Sequence, residues 1–279
     1  MKQTMTLTNY LFTWFMKQYG KWIVIATAFI GFCMVFGYGM PKGSGQDMSF
    51  FPNAFRTYDQ IVDYSMVEFV FAFGLLALLV CAFVQMVSFS TNGKGIYSLM
   101  LLPMKRQQVF LSFVWNLTTV VVMYFAVWFL MLFVLYFPLT ALCENAAQDV
   151  VYHLQNGSTL TGMDATLNNG LYLAFQRSDF LSSAFPVSGL QAMRLVSGLS
   201  LVIVATVLGA LYTDRLFTRL AMLAQVVLGF YVAGYRFIER SFGDIQEMPA
   251  TFYLSGIALV LAVGVLVFGM VMMAKRRNV

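Results

Sequence analysis

The chain has 279 residues, 60% of them hydrophobic and 10% charged, with a mean hydropathy of +0.76. That balance excludes a soluble domain, because there are too few polar residues to cover so much apolar sequence. The net charge of +5, from 17 basic and 12 acidic residues, reflects membrane orientation and is a poor sign of nucleic-acid binding.

Residues 4–20 place Thr6, Asn9, Thr13 and Lys17 at spacings of three and four, with Leu7, Tyr10, Leu11, Phe12, Trp14, Phe15 and Met16 around the remaining circumference. The pattern predicts an amphipathic helix over 1–21, with a narrow polar face suited to the membrane interface. A cleaved signal peptide is the rival reading, and the long polar-aromatic lead before the first apolar run argues against it. Six stretches then reach the roughly 20 apolar residues that a span requires. They are 22–40, 67–86, 113–137, 191–212, 220–237 and 250–274, with Arg194 and Arg236 near the ends of the fourth and fifth. The expected fold is all-α: a single polytopic membrane domain over 1–279 with six transmembrane helices and an N-terminal amphipathic interfacial helix.

Between the first two spans, residues 50–64 interleave Phe50, Phe51, Phe55, Tyr58 and Tyr64 with Arg56, Asp59 and Asp63. A solvated loop with rings on the headgroups is favoured here over a substrate vestibule. Residues 138–189 are long for a connector and are read as an extended external loop. They contain Glu144, Asp149, Asp164 and Asp179, the turn pairs Asn156-Gly157 and Asn168-Asn169, and His153, the one histidine. This loop is expected to matter for cargo and to be dispensable for assembly. In the later spans, Ala205 with Gly209 and Ala258 with Ala262 have the small-residue spacing of close helix contacts. Gln85 and Gln225 are read as interhelical hydrogen-bonding groups. Cys33 and Cys81 fall in spans and Cys143 outside them, so no disulfide framework is expected.

Orientation follows from the basic residues. An even number of spans puts both termini on one side, with Lys2, Lys17, Lys21, Lys94, Lys105, Arg106, Arg215, Arg219, Lys275, Arg276 and Arg277, and only Asp214 as an acid. The other side takes the remaining six basic and eleven acidic residues. Both termini are therefore expected in the cytosol.

The stretch between the second and third spans is more than a connector. Gly93 and Gly95 let the chain turn sharply out of a membrane helix. Residues 96–102 form an apolar run, Pro103 ends it, and Lys105 and Arg106 follow. An apolar helix inside a polar loop needs something to pack against. A glycine turn, a short apolar helix, Leu-Pro and a basic pair resemble the cytosolic loop after the second span of ABC-2 type permeases. In that family the loop is a coupling helix that docks on the ATPase subunit, and a similar interfacial helix precedes the first span. The resemblance implies a coupling loop over 87–112, with Gly95, Ile96, Tyr97, Leu99, Leu101, Leu102, Pro103, Lys105 and Arg106 as the ATPase-coupling residues. It further implies ABC ATPase partners that bind ATP and magnesium, a second permease copy or paralogue, and a bacterial inner membrane location. The 138–189 loop departs from the family, which joins its third and fourth spans tightly.

The chain has no phosphate-binding G-x-x-x-x-G-K-[ST] motif of its own, and Gly93-Lys94-Gly95 is not one. The run 187–191, Val-Ser-Gly-Leu-Gln, echoes part of an ABC signature without a nucleotide domain around it. The chain is thus expected to be no enzyme and to hold no cofactor. The expected cargo is a hydrophobic or amphipathic peptide, drug or lipid. An ATP-independent transporter or channel, or a non-transporting immunity or sensor subunit, stands as the alternative. The spans lack the central Asp, Glu or Lys that ion-coupled carriers place at the midplane.

Overall fold

A computed structural model describes residues 2–40, 56–91, 105–148, 152–153, 159–160, 170–211, 216–234 and 247–275. Helix dominates them. In chain order the elements are α1 (Lys2–Phe15), a π-helical turn (Met16–Gly20), α2 (Lys21–Gly39), α3 (Tyr58–Tyr64), α4 (Val67–Thr91) and α5 (Arg106–Gln148). The strands β1 (Tyr152–His153) and β2 (Thr159–Leu160) follow, then α6 (Leu171–Arg177), α7 (Asp179–Ala184), α8 (Gly189–Leu211), α9 (Leu216–Ala233) and α10 (Glu247–Lys275). The two short strands pair antiparallel, Tyr152 with Leu160 and His153 with Thr159.

Five helical stretches are long and apolar enough to cross a membrane: Thr4–Gly39, Val67–Ser88, Arg106–Asn145, Gly189–Leu211 and Phe252–Ala274. The chain is a membrane-embedded helical protein. The stretch expected as the fifth of six spans is a shorter apolar helix, Leu220–Ala233. It closes in a turn where the Gly234 N–H donates to Phe230 O at 2.9 Å, and residues 235–246 lie outside the described set.

Three expectations change. Residues 1–21 are not a helix separate from the first span, because α1 runs into α2 through the π-helical turn. There the Lys21 N–H donates to Met16 O, five residues back. Gly20 suits this wide turn, since a Cβ there would lie 2.6 Å from Met16 Sδ and 2.9 Å from Phe15 Cε1. Second, α5 has 43 residues and passes through Pro138, so the first part of the expected 138–189 loop is helix, and α6 and α7 add two more short helices. Apolar neighbours on both sides of Pro138 keep the helix going despite the lost N–H. Third, Cys143 lies buried in α5, its thiol 3.9 Å from Gly39 O, and not in an open loop.

The chain divides into two compact units, with three of the four divisions falling inside α2, α4 and α5 and the last between α7 and α8. The first comprises Met1–Val24, Gly74–Tyr124 and Ser188–Val279. Its central helix is α8, with 78% of its apolar stretch buried against 22–39% for the other four spanning stretches. Helix α8 packs on α9 and α10. Lipid tails are as apolar as leucine, so such helices associate through close van der Waals contact. Gly198 and Gly229 provide it: a Cβ on Gly198 would lie 2.6 Å from Gly229 O, and one on Gly229 2.8 Å from Gly198 O. Leu201, Val232, Ala258 and Ala262 form a buried cluster beside this crossing, so the expected alanine pair of the last span does face a neighbour. The 187–191 run has a local role. The Ser188 N–H donates to Gln191 Oε1 (3.4 Å) and the Gln191 N–H to Ser188 Oγ (3.3 Å), a capping box that starts α8.

The second unit comprises Ile25–Phe73 and Phe125–Val187. Of the residues 50–64 expected as a solvated aromatic loop, 50–55 lie outside the described residues, while Tyr58–Tyr64 form α3, which starts with the Thr57 N–H donating to Gln60 Oε1 (3.4 Å) and buries Tyr58, Ile61 and Val62. The buried Tyr58 hydroxyl donates to Leu132 O at 2.6 Å. Burial pushes its phenol pKa well above the ordinary value. Phe71 packs edge-on against Phe125 (5.0 Å), Trp128 (5.3 Å) and Phe180 (5.4 Å), while Phe185 meets Phe129 at 5.4 Å. The T-shaped geometry suits the ring quadrupoles. Rings from α7 and the residue after it thus join the core of this unit.

Candidate functional site

Of the expected coupling residues, Gly95, Ile96, Tyr97, Leu99, Leu101, Leu102 and Pro103 lie outside the described residues. Lys105 and Arg106 are described, and they open α5. Lys105 is exposed and Arg106 partly so. The Lys105 backbone N–H donates to Gln108 Oε1 (3.3 Å), and its carbonyl accepts from the N–H of Gln108 (2.8 Å) and Val109 (3.4 Å). Gln108 thereby caps the helix start and fixes the direction in which α5 leaves the basic pair.

One turn further on, α5 lines an open cleft of about 570 Å³ with α1. Met5, Phe12, Leu111 and Trp115 give it apolar walls, and Thr4, Thr8, Asn9, Gln108 and Thr119 add neutral polar groups. The spacing explains the shape. Positions 4, 5, 8, 9 and 12 share one face of α1, and 108, 111, 115 and 119 share one face of α5. The helices meet through hydroxyls as well: Thr8 Oγ1 donates to Thr4 O (2.9 Å) and reaches Ser112 O at 3.5 Å, and Ser112 Oγ donates to Gln108 O (2.8 Å) and Thr4 O (3.4 Å). Buried Asn116, one turn beyond Ser112, has no partner for its Oδ1. No ionised side chain lines the cleft. It can hold an apolar chain but offers no group for acid–base chemistry. Among the described residues no cluster of His, Cys, Asp or Glu could hold a metal ion.

In the second unit the strongest polar constellation is built on Asp63. Its Oδ1 accepts from Ser178 Oγ (2.6 Å) and the Phe180 N–H (3.3 Å), and its Oδ2 from the Asp179 N–H (3.1 Å). Ser178 Oγ accepts in turn from the Leu181 N–H (3.1 Å). Every donor is occupied within the protein, so this is a tether between α3 and α7 and not an open site. Sequence reading took Asp63 and Asp179 as loop charges. Ser178 ahead of a short apolar run was a legible N-cap signal, but its carboxylate partner is 115 positions away. The cleft was equally hidden, since only the α1 half of it shows as a pattern in the sequence.

Searches against protein-family models, curated proteins and solved structures find no match to this chain.

Proposed function

We propose that this chain is the transmembrane subunit of an ATP-driven exporter of the ABC-2 kind, carrying a hydrophobic or amphipathic cargo. The observation that carries the reading is the sequence 95–106, an apolar run closed by Pro103 and the basic pair, between two helices of spanning length. Helix α4 ends at Thr91 and α5 begins at Arg106, so both flanks of the loop are rigid rods that can receive a push. In this reading α9 is the fifth of six spans and α10 the sixth, both termini are cytosolic, and the protein sits in a bacterial inner membrane. Separate ATPase subunits bind ATP and magnesium, and a second permease copy or paralogue completes the pathway.

The test is co-purification of the ATPase and cargo-stimulated hydrolysis. Tyr97→Asp and Leu101→Asp place charge in an apolar contact and should cost several kcal/mol of association, on the order of the penalty for burying an unpaired charge. Wild-type association by both variants, with the protein correctly inserted, would reduce the loop to a connector.

A further inference from the structure

The α1–α5 cleft has a position and a chemistry that the export reading does not use. The continuous apolar stretch Thr4–Gly39 has 36 residues and Arg106–Asn145 has 40. At 1.5 Å per residue these rods are about 54 and 60 Å long, against a hydrocarbon core of about 30 Å. Their ends therefore overrun the core into the headgroup region. The cleft lies at such ends, over the first turns of α1 and of α5, and α5 opens with the polar run Lys105-Arg106-Gln107-Gln108. Exposed Lys105 stands three residues before Gln108, towards the face of α5 that lines this uncharged cleft, while Arg106 falls on the opposite face. Inside it, Thr8 Oγ1 donates to Thr4 O and Thr119 Oγ1 to Trp115 O (2.8 Å). These hydroxyls are spent on their own helices, which leaves the walls suited to methylene groups more than to a sugar or a peptide backbone.

We propose that the cleft binds one acyl chain of an anionic phospholipid, with its phosphate facing Lys105. Charge complementarity at the mouth selects the anionic headgroup, and the neutral walls of Met5, Phe12, Leu111 and Trp115 take the chain. A bound lipid would then join the N-terminal helix to the start of α5.

The experiment uses the full chain in phosphatidylcholine nanodiscs containing a minor fraction of phosphatidylglycerol that carries a photoactivatable diazirine in its acyl chain. Adducts are mapped by mass spectrometry after irradiation. The proposal expects them to concentrate on the four wall residues. Lys105→Ala should lower that labelling about fivefold, the share of one basic residue near an anionic surface, whereas Arg106→Ala, on the opposite face of α5, should leave it unchanged. Leu111→Trp, which fills the cleft, should abolish it, and Val260→Trp on the exposed face of α10 should leave it unchanged. Equal labelling of the cleft by a matched phosphatidylcholine probe would overturn the anionic assignment. Adducts spread evenly over the cleft and α10 would overturn the site. Displacement by an apolar peptide but not by unlabelled phosphatidylglycerol would make it a cargo site instead. Should a variant fail to fold, the comparison of the two lipid probes on the wild-type chain decides alone.

Discussion

Asp63 shows how one carboxylate can organise a segment far away in sequence. Its two oxygens take three donors from 178–180, and hydrogen bonds to a charged acceptor are stronger than neutral ones. Asp63→Ala would leave the Asp179 and Phe180 N–H groups without that acceptor and should cost about 1–3 kcal/mol. Asp63→Asn keeps one carbonyl and should cost less. Amide exchange over 170–187 in the purified full chain is the measurement, and unchanged protection in Asp63→Ala would reject the tether. Tyr58 makes a second local prediction. Burial raises its phenol pKa, so the neutral form is favoured in the fold. Its contribution is complete below the unfolded value of about 10 and is lost as pH climbs towards the folded one. In an alkaline titration Tyr58 should therefore ionise in a late step, on unfolding. Tyr58→Phe should cost about 1 kcal/mol, the net worth of one hydrogen bond, and should remove the late step.

Among the helices, the α8–α9 crossing is the most constrained contact. A methyl on Gly198 would meet backbone, Gly229 O at 2.6 Å and the Ala233 N at 2.8 Å, and backbone cannot rotate away as a side chain can. Gly198→Ala should therefore push the helices apart and cost about 1–3 kcal/mol, the usual range for overpacking. At Gly256 and Gly264 on α10, by contrast, an added Cβ would meet nothing within 4 Å. Alanine at either should be neutral, or stabilising by up to about 1 kcal/mol through helix propensity. Thermal unfolding of the wild-type chain and the three variants in one detergent compares them. Equal loss at all three positions would mean that the penalty lies in glycine itself and not in the crossing.

At the level of the entire chain, orientation is the quantity to measure. Eleven of the 17 basic residues and one of the 12 acids fall on the side expected to hold both termini. Ser98→Cys should accordingly resist a membrane-impermeant thiol reagent in intact cells and react after permeabilisation, while Tyr172→Cys, on an exposed position of α6, should react from outside. Cys143 is buried, so it should stay silent where an open loop would have made it reactive. Labelling at position 98 from outside would reverse the topology, and the coupling reading would fall with it.

Local pattern sufficed for the helical membrane class, most span positions and the Ala258–Ala262 contact, because apolar runs and small-residue spacing are properties of neighbours in the chain. The same locality hid the rest. The stretch 138–148 read as loop because Pro138 and polar residues interrupt the apolar pattern, yet Leu139 and Cys143 are fully buried on one face of α5 and packing carries the helix past the proline. Tyr58 read as a surface ring because its acceptor, Leu132 O, is 74 positions away. Asp63 read as a solvated charge because its donors are more than a hundred positions distant. The cleft needs two helix faces from opposite ends of a long sequence interval. Such pairings depend on which surfaces meet, and the meeting is set by the packing of whole helices, which no single stretch of sequence contains.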